Sequence, residues 1–296
     1  MKLPSPIAHY LYLFRIWLGA TMGLFLAATS HSYAMQIEGA EILSGQMIEG
    51  GLIIARTDPS NQITLGDDQI RIAKNGIFVI GFHRDTDAPE TLAITTPDGV
   101  ITKTTLSPVK RTYQVQRIDG LKSAMVSPPA AVLARIQADR EAVHAARNID
   151  TALGDFWLGF DWPAHGRISG VYGSQRILNG QPRQPHYGID IAAAPGLAVR
   201  APADGKIVMA KDLYFTGGTI IIDHGYHLNS TYSHLAKMIT PVGTDVKRGD
   251  IIGTVGSTGR STGPHLDWRI NWKNKRLDPL LLAGPLLPAL PIPRPF

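Results

Sequence analysis

Between residues 35 and 126, short apolar and β-branched runs alternate with clusters of turn formers. Leu52-Ile53-Ile54-Ala55, Gln69-Ile70-Arg71-Ile72, Gly76-Ile77-Phe78-Val79-Ile80 and Thr91-Leu92-Ala93-Ile94-Thr95 have the length and side chains of strands, and residues 113–118 alternate with a period of two. Asp58-Pro59-Ser60-Asn61, Gly66-Asp67-Asp68, Asn75-Gly76 and Pro97-Asp98-Gly99 separate them with residues that accept turn dihedrals. The spacing predicts an N-terminal β-sandwich-like domain over residues 35–126. Its one histidine, His83, reads as a loop residue, and no cluster of titratable groups accompanies it.

The period changes after Ser127-Pro128-Pro129. Val132, Leu133, Ile136, Val143 and Ala146 form an apolar stripe among Arg135, Asp139, Arg140, Glu141 and Arg147. A helical connector is predicted over residues 127–150, with Ser127 as its N-cap and proline in its first turn. Residues 151–280 return to a β pattern, with strand-like runs at 206–209, 219–222 and 251–255 and Gly-rich turns between them. Residues 281–296 are a Pro- and Leu-rich tail, expected to lie extended on the surface or to be loose. The fold class is therefore mainly β.

The first 34 residues follow another logic. Lys2 and Arg15 flank the apolar stretch 16–28, and Ser32-Tyr33-Ala34 has the small-residue ending of a cleavage site. A signal peptide over residues 1–34 is expected, with a periplasmic or secreted product. The stretch is short for a bilayer span. Pro285 and Pro288 break the apolar run near the C-terminus, so no stable membrane span is expected after cleavage.

Composition narrows the chemistry. The chain has 296 residues, 29 Lys plus Arg against 24 Asp plus Glu, and a formal charge of +5; without Lys2 and Arg15 this is about +3. No long basic run exists, so a nucleic-acid partner is not expected, while an anionic polymer is compatible. Zero cysteine removes disulfides, thiolate zinc sites and cysteine nucleophiles. Any metal has to be held by His and carboxylate.

Seven of the ten histidines follow residue 140. In His186-Tyr187-Gly188-Ile189-Asp190 a histidine and a carboxylate stand four apart, but Gly188 and the β-branched Ile189 and Ile191 oppose a helix. On a straight strand the two would lie roughly 13 Å apart, so sharing one ion requires a bend, which Gly188 permits. A surface loop explains this spacing equally well. In residues 263–270 His265 and Asp267 share one strand face, while Leu266, Trp268 and Ile270 share the other. A solvated polar face is the plain alternative there. His234, in Tyr232-Ser233-His234-Leu235, sits near a strand end, where hydrogen-bonded structural histidines are common. His224 and His227 flank a turn and read as structural, as do His165, Asp223 and Asp250. Arg176 and Tyr172 are candidates for a groove wall. Ser257, Thr258 and Ser261 lack a nucleophile elbow, and the glycine turns lack a Walker lysine.

Taken in order, Gly170-Val171-Tyr172-Gly173-Ser174-Gln175-Arg176, His186-Tyr187-Gly188-Ile189-Asp190, Ala201-Pro202-Ala203-Asp204-Gly205, Asp223-His224-Gly225, Tyr232-Ser233-His234-Leu235, residues 246–253 and residues 256–266 resemble the lysostaphin-type (LytM-like) zinc metallopeptidases over roughly residues 165–279. The resemblance implies a β-sheet core with a groove over Zn²⁺, and cleavage of peptide cross-links in peptidoglycan. It implies that His186 and Asp190 are zinc ligands and that His234 and His265 are the catalytic histidines. The family's third ligand is the second His of an H-x-H motif; here that position is Asp267. Carboxylate is an acceptable zinc ligand, but two carboxylates neutralise the ion's formal charge, so the site is expected to be retuned. A second function class also fits: a degenerate LytM-like domain that binds the wall and regulates an amidase. A third, a carbohydrate-binding β-domain with an incidental His cluster, predicts no zinc.

Overall fold

A computed structural model describes residues 36–86, 88–154 and 156–284. The signal peptide expected over residues 1–34 lies outside the described residues, as does the tail beyond Gly284. The described residues group into one contact unit.

The N-terminal runs form β1 (Glu41–Gly45), β2 (Leu52–Arg56), β3 (Gln62–Leu65), β4 (Asp68–Ile70), β5 (Ile77–Gly81), β6 (Glu90–Thr95) and β7 (Ile101–Leu106). They pair antiparallel into a three-stranded sheet, β1-β2-β5, and a four-stranded one, β4-β3-β6-β7. Ile53, Phe78, Ile80, Ile63, Leu92 and Ile94 are buried and belong to the same hydrophobic cluster as Trp268, Trp272 and Leu277 far along the chain. The approach is close: a Cβ on Gly81 would stand 2.9 Å from Leu277 and 3.2 Å from Trp272. Next, β8 (Val115–Ile118) runs parallel to β10 (Gln175–Leu178), which also pairs with β11 (Gln181–Pro182).

The connector is broken into α1 (Ser123–Val126), a short 3₁₀ turn and α2 (Leu133–Arg147). Ser127 does not cap the long helix; it closes α1, and no side chain caps α2. The two prolines account for this. A residue before proline is pushed out of the helical region, and Pro129 itself is extended, with φ −68° and ψ 155°.

The remaining strands are β9 (Arg167–Gly170), β12 (Ile189–Ala192), β13 (Ala198–Arg200), β14 (Gly205–Leu213), β15 (Gly217–Asp223), β16 (Leu228–Met238), β17 (Asp245–Val246), β18 (Ile251–Val255), β19 (His265–Trp272) and β20 (Lys275–Leu277). They form a ten-stranded sheet along the path β17-β14-β15-β16-β19-β12-β9. On it, β18 joins β13 to β16 and β20 flanks β19. Leu266, Trp268 and Ile270 of β19 are fully buried in the core, the inward face that the alternation predicts. The start of the tail differs from the extended form expected. Pro279–Ala283 is a short helix, α3, because Asp278 caps it by accepting from the Leu280 amide at 3.0 Å and Pro279 suits the first turn. No helix among the described residues is long and apolar enough to cross a membrane.

Candidate metal centre

β12 and β19 are antiparallel neighbours with Asp190 directly opposite Asp267. Directly paired residues share a sheet face, so register alone sets two carboxylates side by side. His186 lies before β12, in a loop fixed by two backbone bonds: its amide donates to Ser174 O at 2.8 Å, and its carbonyl accepts from the Gly173 amide at 2.7 Å. One ligand atom from each of His186, Asp190 and Asp267 lies within 4.8 Å of the others, and all three residues are buried. His186 Nε2 stands 3.1 Å from Asp190 Oδ1.

Two glycines make this possible. A Cβ on Gly188 would fall 2.6 Å from Arg269 Cγ and from the Trp268 carbonyl, so its absence lets the loop lie against β19. A Cβ on Gly170 would fall 2.3 Å from Asp190 Oδ2, in the space that carboxylate occupies.

The donor set fits a zinc-like ion. His186 Nδ1 is buried without a hydrogen-bond partner, and His186 Nε2 and Asp190 Oδ1 have only each other, at 3.1 Å. One ring nitrogen of His186 with one oxygen each from Asp190 and Asp267 makes a nitrogen-and-carboxylate donor set of the kind zinc accepts. Asp267 is different. Arg269 grips it through Nε to Oδ1 at 2.9 Å and through its terminal nitrogen to Oδ2. Each carboxylate oxygen has two lone pairs, so the fork leaves one on each oxygen for another partner. Arg176 likewise donates to Asp190 Oδ2 at 2.6 Å. Burial raises both carboxyls, but the neighbouring charges outweigh it: His186 and Arg176 hold Asp190 below the usual range, and Arg269 holds Asp267 well below it.

His234 and His265 flank the three, with ring centroids 4.7 Å apart. His234 Nδ1 lies 2.7 Å from the Thr258 carbonyl and His265 Nδ1 2.8 Å from the Gly263 carbonyl. A carbonyl only accepts, so in each ring Nδ1 carries the proton and Nε2 keeps its lone pair. His265 Nε2 is 3.8 Å from Asp190 Oδ1. Burial, with the charge of His265 acting in the same sense, pushes His234 down to about 4, so its ring is neutral near pH 7. Its backbone is left-handed, φ 65°, and its amide donates to Thr216 O at 2.8 Å.

Residues 121–126 run beside this centre and are tied down from several directions. Asn179 bonds both backbone groups of Leu121. Tyr214 donates to Ala124 O at 3.0 Å, Arg260 to Met125 O at 3.1 Å and Arg183 to Val126 O at 2.9 Å. The segment helps to line two cavities: one of about 350 Å³ with Asp190, His234 and His265 in its wall, and one of about 840 Å³ with Arg176, Arg183, Arg260 and Arg269.

The other sequence candidates have plain structural settings. His224 is buried between Asp204 O and Ser230 Oγ, at 2.7 Å from each. His227 faces Asp150. Asp223 accepts from Thr151 and from the Gly225 amide. Of the two groove-wall candidates, Arg176 touches the centre, while Tyr172 is buried and donates to Arg276 O. Sequence reasoning did not single out Arg269. Its signal was the i, i+2 spacing that puts it on the face of Asp267.

An antiparallel sheet with a loop histidine over paired strand carboxylates has the architecture of a lysostaphin-type peptidase domain. Residues 184–279 match the model of peptidase family M23, so this segment is an M23-type domain. It is 34% identical over 106 residues to the peptidoglycan DD-endopeptidase ShyB of Vibrio cholerae, covering 36% of this chain and 25% of that protein. It is 37% identical over 120 residues to the murein hydrolase activator NlpD of Escherichia coli, covering 40% of this chain and 30% of that protein. The chain thus spans less than a third of these relatives. A crystal structure of an M23 peptidase from Pseudomonas aeruginosa superposes with a TM-score of 0.61 at 26% identity, covering 81% of this chain and 96% of that one.

Proposed function

We propose that this protein is an exported, zinc-dependent endopeptidase that cleaves peptide cross-links of peptidoglycan, acting in the periplasm or outside the cell. His186, Asp190 and Asp267 hold the ion. The carrying observation is the convergence of one ligand atom each from His186, Asp190 and Asp267, flanked by two histidines that keep Nε2 free.

Bound zinc supplies Lewis acidity toward a scissile carbonyl and lowers the pKa of water. The chain's residues do the rest. No Glu of an H-E-x-x-H motif is present, so the neutral His234 ring takes up a proton at Nε2 as general base. His265 starts with Nε2 unprotonated, so it takes up a proton there in the reaction before it donates to the developing oxyanion or to the leaving amine. The five arginines of the larger cavity, Arg140 with Arg176, Arg183, Arg260 and Arg269, suit an acidic wall polymer.

One observation favours a second reading. Both oxygens of Asp267 already have a cationic partner in Arg269. This matches a metal-free, ion-paired centre in a wall-binding regulator of an amidase. Metal analysis of the purified chain, followed by digestion of defined cross-linked muropeptides, separates the two. One zinc per chain with cleavage supports the peptidase; neither supports the regulator.

A further inference from the structure

α2 rests on the large sheet through Ala146, packed with Met209, Leu213 and Ile221. Beside this contact lies a cavity of about 430 Å³. Ile136, Val143, Leu213 and Phe215 give it apolar walls, and Arg147 and Arg276 line it with charge.

These two arginines are partly buried and have few partners. Arg147 makes one hydrogen bond, to Thr231 Oγ1 at 3.3 Å, and its Nε is buried with no partner. Arg276 donates to Asn271 Oδ1 at 2.6 Å. Neither has a carboxylate partner among the described residues. The one acid in the cavity wall, Asp139, is engaged elsewhere. It accepts from the Tyr214 amide at 2.8 Å and lies 3.7 Å from Lys211 and 3.9 Å from Arg135. Burial pushes Arg147 well below its ordinary value, with the charges of Arg276 and Arg269 adding to the effect and Asp267 opposing it more weakly, and burial pushes Arg276 down to about 10.

Both side chains are partly buried at the cavity wall and carry no counter-ion there. Two such cations beside apolar walls offer a place to an anion with a hydrocarbon portion. A guanidinium fork matches a carboxylate bidentately, and the four apolar walls match a short hydrocarbon portion. Arg140 and His144, exposed on α2, also line the cavity and bias approach toward anions.

We propose that this cavity binds a small organic carboxylate, with its head between Arg147 and Arg276 and its apolar chain against Ile136, Val143, Leu213 and Phe215. The site is separate from the zinc ligands and does not depend on zinc being bound.

The test is calorimetry on the full chain, as purified and after chelation, with N-acetyl-D-alanyl-D-alanine, hexanoate, the amide of each, and sulfate. At least one carboxylate binds at one per chain, tenfold or more tighter than its amide, with and without zinc. Arg147→Met and Arg276→Gln each weaken it tenfold or more. Preference for the dipeptide assigns the ligand to peptide C-termini; preference for hexanoate assigns it to free aliphatic acids. Melting gives a second readout. Arg147→Met, relieved of an unpaired charge, melts at or above the parent without ligand, and the carboxylate raises the melting temperature of the parent alone. Equal binding of acid and amide, binding of sulfate only, or unchanged binding in both variants overturns the proposal. So does an Arg147→Met protein that binds normally but melts well below the parent, which makes Arg147 a structural residue.

Discussion

Arg269 holds Asp267, two residues earlier on β19, through both carboxylate oxygens. The consequence is electronic. In the H-x-H pattern this position is a neutral imidazole; here it is an anion with its own counter-ion. If Asp267 is a zinc ligand, as proposed, the guanidinium would draw electron density from it and make it a weaker donor, restoring part of the Lewis acidity that a second carboxylate would remove.

Arg269→Gln tests whether Asp267 serves a metal. Without zinc the variant leaves a buried carboxylate unpaired and loses about 3 kcal/mol of stability. Saturating zinc recovers most of the loss if Asp267 is a ligand. Urea denaturation with and without zinc reads this directly; an equal loss in both conditions removes Asp267 from the ligand set.

Substitution of Asp267 itself acts on the metal. Asp267→Ala is expected to lower zinc content and abolish hydrolysis. Asp267→His removes a negative charge, so the alkaline-rising limb of the pH–rate profile moves to lower pH. Retention of zinc and full activity by Asp267→Ala excludes ligation by this residue. Gain of both zinc and hydrolysis by Asp267→His from an inert parent identifies a regulator.

The two flanking histidines are expected to be separable from metal binding. His234→Ala and His265→Ala keep zinc, and each loses roughly 10²-fold or more in activity. Elemental analysis beside the rate measurement checks this, because a loss of zinc makes the residue a ligand.

Acid sensitivity has a definite source in His224. Burial lowers it to about 4 from an ordinary value of 6.5. The unfolded chain therefore takes up a proton that the folded chain refuses. Stability is full above pH 6.5, falls as pH drops, and has lost about 3 kcal/mol from this group by pH 4. His224→Gln flattens that slope. Chemical denaturation between pH 7.5 and pH 4.5 measures it, and identical slopes place the acid sensitivity elsewhere.

The ties on residues 121–126 suggest a brake on large substrates. Arg183→Ala with Arg260→Ala removes the bonds to the Val126 and Met125 carbonyls. Cleavage of intact sacculi is expected to rise severalfold, while a short muropeptide, which needs less room, changes little. Equal change on both substrates marks a general effect on the centre instead.

The sequence was most legible where chemistry and period coincide. The alternation of residues 265–270 predicted a buried apolar face and a shared face for His265 and Asp267, because a strand's period of two is fixed by its backbone. The H-x-x-x-D spacing was less informative. Its required bend arises because His186 stands outside β12, anchored by Gly173 and Ser174, and no local signal reports that long-range bond. The role of Gly188 also differs from the one its freedom suggested. Its backbone is not left-handed; what matters is the missing Cβ against Arg269 and Trp268. The helix over 127–150 was legible as a stripe, but its start was set by two prolines that override a good capping residue. The cavity between α2 and the sheet had no sequence signal, since Arg147 on the stripe's margin and Arg276 after β19 meet only through the fold.

His234 carries a further meaning. A non-glycine residue with φ 65° pays about 1 kcal/mol in local conformational energy, and it does so beside a carbonyl that also fixes the rotation of its ring. Folding therefore settles the direction of this imidazole before any peptide arrives. An unanchored histidine on the same strand would have to surrender that freedom each time a peptide bound. The kinked residue is thus a stored alignment, set once per molecule when the chain folds.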